Sequence, residues 1–369
     1  MESRCNDQLP ACGQFTPSAA PVGLGIRRAL PMSWRSKTRG LTVAELSILE
    51  LGRVREGFTR ADALNDARRV ARHAEQFGYK RFWVAEHHNM KAVTTAATSL
   101  VISHIAAGTT SIRVGAGGIM LPNHAPYIIA EQFGTLEVLY PGRIDLGLGR
   151  APGTDQMTLR ALRRDPASAD RFPQDVLELQ AWLGPVEEGQ RIEAVPGSNS
   201  NVPLWILGSS LFGAQVAAAY GLPYGFASHF APQALDDALA TYRANFQPSA
   251  QLDKPHALIG VNIIAAETNE EAKYLATSQQ MSFANLVRGD RKLTQPPIED
   301  IDTYWTEDEK IRAAQMLAVS IIGDRNKVKE GIDRLLARTR ADELMIVSDM
   351  YDVDKRIRSF EIISEVVNG

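Results

Sequence analysis

Apolar residues along the chain fall into short runs that alternate with longer stretches of helical period. LSILEL (46–51) is a compact apolar run bounded by breakers, the pattern of a buried strand. Thr59 then opens a stretch in which Leu64, Ala67, Val70, Ala71, Ala74 and Phe77 share one helical face, closed by Gly78. The alternation repeats with RFWVAE (81–86) and a helix near 94–107, then IRVGAGGIM (112–120) and a helix near 125–139. RIDLGLG (143–149) precedes a helix near 170–183, and PLWILG (203–208) precedes a small-residue helix ending at Gly221. YGFASHF (224–230) leads to a helix with Pro232 in its first turn. ALIGVNIIAA (257–266) leads to a helix from about 268, and DELMIVS (342–348) to a terminal helix.

Eight strand-like runs alternating with helices predict a parallel sheet with right-handed crossovers. That number of units fits a single closed (β/α)8 TIM barrel of the α/β class better than an open sheet. The barrel domain is expected over residues 41–369, with no second domain. Residues 286–305 break the rhythm with Pro296, Pro297 and mixed charges, and predict an insertion, either a lid or a plain surface excursion. Residues 1–40 lack helical period and carry several prolines and a late basic cluster, so they are expected to be a flexible extension. Pro and Gly interrupt every candidate apolar core of a secretory signal there, and Met32 is a conceivable native start.

Composition narrows the class. Forty basic against forty-three acidic residues give net −3, with no basic footprint for nucleic acid or a membrane surface. No apolar run reaches the ~18–20 residues that cross a bilayer, so a soluble, cytoplasmic protein is expected. The two cysteines, Cys5 and Cys12, leave the body without a disulfide framework, a thiolate metal site or a cysteine nucleophile.

In such a barrel the chemistry gathers where strands end. The second strand ends in Glu86-His87-His88. These histidines read as a base with an orienting neighbour, or as hydrogen-bonded structural residues. Metal ligation is disfavoured, because adjacent strand residues point to opposite faces and no His-x-His or H-E-x-x-H is present. Gly117-Gly118 suits close approach of backbone to a flat ligand, or a sheet bulge. It does not open a helix as a dinucleotide fingerprint must. Ser209 and Ser210 precede a helix and read as an anion site or as an N-cap. Arg150 reads as the matching cation, or as half of a salt bridge.

WVAEHHN (83–89), GGIMLPNHAP (117–126), AEQFGTLEVLYPGRIDLGLGRAPGTD (130–155), GLPYGFASHFAP (221–232) and DELMIVSDMYD (342–352) together closely resemble the bacterial luciferase-like family of flavin-dependent monooxygenases. The resemblance runs from about residue 45 to the C-terminus and implies a (β/α)8 barrel, usually a homodimer. It further implies reduced FMN at the C-terminal rim, supplied by a separate flavin reductase and reacting with O2. By position, His87 matches the family's active-site histidine and His88 its neighbour, both taken as catalytic. Glu86, Gly117, Gly118, Arg150, Ser209, Ser210 and Gly213 are the residues expected at the flavin. Gly149 stands where light-emitting members have a reactive cysteine, and Ser209 where they have an acidic residue, which places the chain in the non-luminescent branch. The substrate expected is a hydrophobic or aromatic organic molecule, with Met281, Phe283, Tyr304 and Trp305 as candidate contacts and secondary metabolism as one setting. A deazaflavin-dependent oxidoreductase and a non-catalytic flavin-binding protein are the alternatives.

Overall fold

The computed structural model describes residues 44–369 other than 152 and 291. The expectations for residues 1–40, including the Met32 start and the two cysteines, lie outside them. The strands are β1 (Glu45–Glu50), β2 (Arg81–Val84), β3 (Arg113–Met120), β4 (Ile144–Gly149), β5 (Leu204–Gly208), β6 (Tyr224–Phe226), β7 (Ala257–Ala265), β8 (Ile321–Gly323) and β9 (Glu343–Val347). All pair in parallel, in the order β6-β5-β4-β3-β2-β1-β9-β7, and β6 pairs with β7 to close an eight-stranded barrel. The three-residue β8 pairs only with the end of β7 and lies off the ring.

Period-two alternation sorts each strand's side chains between two layers. Ile48, Phe82, Val114 and Ile144 stand in register and face the surrounding helices. Leu49, Trp83, Leu258 and Met345 face inward, where Trp83 and Trp205 meet edge to face at 5.1 Å. The strand N-termini are plugged by buried charge. Arg81 bridges Asp145 at 2.8 Å and Glu343 at 3.0 Å, and Arg113 pairs with Asp145 at 2.6 Å. Each of these ions is compensated, and removing any one would strand its partner in low dielectric. The barrel interior is therefore closed at one end and open at the other.

Several expected boundaries shift. The strand RFWVAE ends at Val84 and YGFASHF at Phe226, because the chain then peels away from its neighbours. Pro232 lies in the turn before the helix Leu235–Asn245 rather than within it. β8 and the short helix Gln156–Ala161 were not expected, being too brief for periodicity to reveal. Thr59 does open the helix Arg60–Gln76, through a reciprocal capping box with Asp62.

The insertion begins later than expected, because the helix Asn269–Arg288 runs past residue 286. Beyond that helix the chain is anchored to the barrel. Thr294 N donates to Val54 O at 3.0 Å, and Glu56 N donates to Thr294 O at 2.9 Å. Arg288 pairs with Glu309 at 2.5 Å, tying this helix to Glu307–Met316. None of the described helices is long and apolar enough to cross a membrane.

Candidate active site

A cavity of about 690 Å³ opens at the C-terminal ends of the strands. His87, His88, Gly117, Gly118, Arg150, Ser209, Ser210 and Gly213 all line it; Glu86 does not. Alternation explains the exception. Ala85 and His87 face the cavity, and Glu86 between them turns into the protein, fully buried.

Glu86 is a hydrogen-bonding hub. Its Oε1 lies 2.7 Å from His88 Nε2 and 2.9 Å from His124 Nε2, and Oε2 accepts from Met120 N at 3.1 Å. Burial raises its pKa, but the hydrogen bonds from His124 and His88, the charge of His124 and the Met120 amide outweigh this and bring it down to about 2. Glu86, His88 and His124 form a compact donor set. Their 2.7 and 2.9 Å separations are hydrogen-bond lengths, shorter than the spacing of ligands that each stand ~2.0–2.1 Å from a metal.

His87 differs. Its Nδ1 is buried without a partner among the described residues, and burial, followed by the charge of Arg53, lowers its pKa to about 4. His229, just past β6, shares these properties, with a buried unpartnered Nδ1 and a pKa lowered by burial to about 4. Its ring fits only because residue 260 is glycine; a Cβ there would overlap His229 Nδ1. At neutral pH two uncharged imidazoles therefore face one cavity.

The glycine pair carries a bulge, one of the two readings its sequence allowed. The strand register shifts between Gly117 and Ile119, and the Gly117–Gly118 peptide is cis. A Cβ on Gly118 would lie 2.7 Å from Gly147 O, so neighbouring strands approach too closely here for any side chain.

At another part of the wall, Ser210 occupies the N-cap of the helix Leu211–Tyr220, but its side chain makes no cap hydrogen bond. The first-turn N–H groups are left for another acceptor. Arg150 lies over the Phe212 ring at 4.0 Å and has no acidic partner among the described residues. The other lining cations do: Arg53 pairs with Asp349 at 2.8 Å, and Lys292 with Asp290 at 3.4 Å. An unpaired cation beside an uncapped helix N-terminus can hold a phosphate.

Of the residues expected near a substrate, Phe283 lines the cavity. Met281 is buried in the core, and the Tyr304 hydroxyl sits between the side-chain amides of Asn285 and Gln295, at 2.8 and 2.6 Å. Trp305 Nε1 donates to Asp302. Arg53, Asp349 and Asn262 line the cavity without having been singled out, whereas His229 lies at the end of the sixth strand run, where the rim is expected. Arg53 and Asp349 were nonetheless legible, because each lies just past a barrel strand, where rim residues are found.

Comparison with known proteins adds independent findings. A family model described as luciferase-like monooxygenase matches residues 45–343. The chain is 48% identical over 321 residues to a luciferase-like monooxygenase of Escherichia coli (strain K12), covering 87% of this chain and 96% of that one. It is 30% identical over 332 residues to the N-acetyl-S-alkylcysteine monooxygenase of Bacillus subtilis (strain 168), covering 87% and 98%. The solved structure of apo-MsnO8 superposes with a TM-score of 0.79 at 33% identity, covering 88% and 98%. The fold alone is shared, at 16% and 15% identity, with a type II Baeyer–Villiger monooxygenase component in complex with FMN (TM-score 0.66) and an F420-dependent secondary alcohol dehydrogenase (TM-score 0.64). These two cover 87% and 88% of this chain, and 97% and 99% of their own lengths.

Proposed function

Because the chain belongs to the luciferase-like monooxygenase family, we propose that it is a reduced-FMN-dependent monooxygenase acting on a largely apolar organic molecule. The observation that carries the choice of cofactor is the unpaired Arg150 beside the uncapped N-terminus at Ser209 and Ser210, a site built for one phosphate. The shared wall fits the rest of the group: Gly117 and Gly118 present backbone alone to the cavity, suiting a flat ring system. When bound, reduced FMN supplies the electrons with which O2 delivers one atom to the substrate and the other to water.

The protein's part is to orient, to exclude water and to manage a proton. Arg150 and the 209–213 loop hold the phosphate, with Gly213 allowing the helix to close onto Gly208. Apolar inward residues such as Trp83, Leu207 and Val347 keep the reacting centre dry. His87, uncharged at neutral pH, takes up and returns a proton at its imidazole. His88 acts through its bond to Glu86, which fixes the loop that carries His87. Anchored through Thr294, the insertion after Arg288 walls the mouth with Gly289, Asp290 and Lys292, beside Leu286 of the preceding helix.

A separate reductase supplies the flavin, and the enzyme works as a cytoplasmic homodimer. Leu100, Ile128, Val138 and Leu139, exposed on the adjacent helices Thr98–Ala106 and Pro126–Leu139, supply an apolar face for a second copy. Anaerobic titration with reduced FMN and with reduced deazaflavin, followed by exposure to O2, tests the cofactor. Saturable FMN binding with O2 uptake supports the oxygenase. Deazaflavin binding without O2 uptake replaces it with hydride transfer, and flavin binding without turnover of any substrate makes the protein a carrier.

A further inference from the structure

The cavity contains a second polar subsite whose partners are only half used. Arg53 Nε donates to Asp349 Oδ2 at 3.0 Å, and Nη2 stands 2.8 Å from the same carboxylate oxygen in an ion pair. Arg53 Nη1 and Asp349 Oδ1 make no hydrogen bond to any described residue, yet neither is among the atoms sealed from solvent without a partner. Both residues line the cavity, so one donor and one acceptor stand open on its wall. Their side chains are only 22% and 4% exposed, so the pair is fixed in the wall and not free to swing into solvent. Their charges also act on the His87 imidazole, placing the pair beside the proposed reacting centre.

Charge selects the ligand class. The pair is neutral as a unit, so a carboxylate drawn to Arg53 meets Asp349, and an ammonium drawn to Asp349 meets Arg53. A neutral group with an acceptor beside a donor satisfies both at once. We infer that Arg53 and Asp349 form a specificity-determining subsite for a neutral carboxamide head on an otherwise apolar substrate, the carbonyl accepting from Arg53 and the N–H donating to Asp349. Calling this ligand a substrate rests on the monooxygenase proposed above; the binding itself does not.

Calorimetric titration without turnover tests it, with the full-length protein alone and loaded with oxidised FMN. The probes are octanamide, 2-nonanone, which keeps the carbonyl but lacks the N–H, and octanoate. Octanamide is expected to bind about tenfold more tightly than the ketone, the worth of one hydrogen bond to a charged group. Octanoate is expected to bind more weakly than the amide. In the double variant Arg53→Met/Asp349→Leu, which removes both charges together and strands neither, the preference should fall to about twofold or less. The single variant Arg53→Gln should also reduce it, and thermal melting confirms that each variant is folded. Equal binding of amide and ketone, tighter binding of octanoate, no amide binding, or a preference that survives the double variant overturns the inference. Failure of FMN to bind while amide selectivity persists overturns the cofactor assignment instead, so the two failures are distinguishable.

Discussion

His88 Nε2 lies 2.7 Å from Glu86 Oε1, while its neighbour His87 leaves a buried Nδ1 with no partner among the described residues. Glu86 turns into the protein while His87 and His88 both line the cavity, and only His88 reaches back to the Glu86 carboxylate, so adjacent histidines acquire different chemistry. His88 is held by an anion, and His87 is an uncharged imidazole free to exchange a proton.

Replacing His87 with Ala is expected to lower substrate-dependent turnover about 10²-fold or more while FMN affinity stays within about twofold. Oxygen consumed without product should appear as H2O2. Steady-state kinetics with product and H2O2 quantified in parallel provide the check, and full coupled turnover in the variant would remove His87 from its assigned role.

Acid should destabilise the protein through its two depressed histidines. His87 and His229 have folded pKa values of about 4, below their ordinary value near 6.5. The unfolded chain therefore binds protons that the folded one refuses. Stability falls as pH drops from about 6.5 to about 4 and levels off below, by up to roughly 3 kcal/mol per histidine. Glu86 acts in a lower window, stabilising above its unfolded value and losing that contribution as pH falls through about 2. Melting curves from pH 7 to 4 should show the decline, and His87→Asn/His229→Asn should flatten it.

Arg150→Met keeps an alkyl stem over Phe212 but removes the charge. Since no described acidic residue loses a partner, the melting temperature should hardly change. Reduced-FMN affinity should fall roughly 10- to 100-fold, the worth of a charge-assisted contact to phosphate. Fluorescence titration measures it, and undiminished affinity would relocate the phosphate.

Gly260→Ala places a methyl group against the His229 ring from a central barrel strand. The ring must move, at a cost of about 1–3 kcal/mol. Denaturant unfolding reads the loss. Combining the change with His229→Ala should restore much of it, and strict additivity would show that the two side chains do not collide.

Hydrogen exchange should show the anchored character of the insertion. The amides of Thr294 and Glu56, bonded across to the barrel, should exchange more slowly than that of Gly289 at the helix end, whose bond is local. Uniformly fast exchange through 286–305 would indicate a segment that opens as a unit.

Much of this was legible from residues alone. Eight apolar runs separated by helical stretches announced the barrel, because a strand covered on both faces must be apolar nearly throughout. Strand-end motifs announced Arg150, His87 and Ser210, since loops at that rim converge whatever their sequence separation. Glu86 was legible as a rim residue but not as a hub turned away from the cavity. Its burial depends on His124, 38 positions along the chain, reaching the same oxygen.

The sequence by itself determined the order of the eight barrel strands, the family and several of the residues at the rim, because periodicity and chain order are local properties. Only the tertiary structure decided which rim residues are satisfied and which are free. Asp349 neutralises Arg53 across 296 positions, and Gly260 makes room for His229. Arg150, by contrast, is left without an acidic partner among the described residues. Whether a charge is cancelled or available depends on distances of a few ångströms between remote segments, and no local pattern encodes those distances.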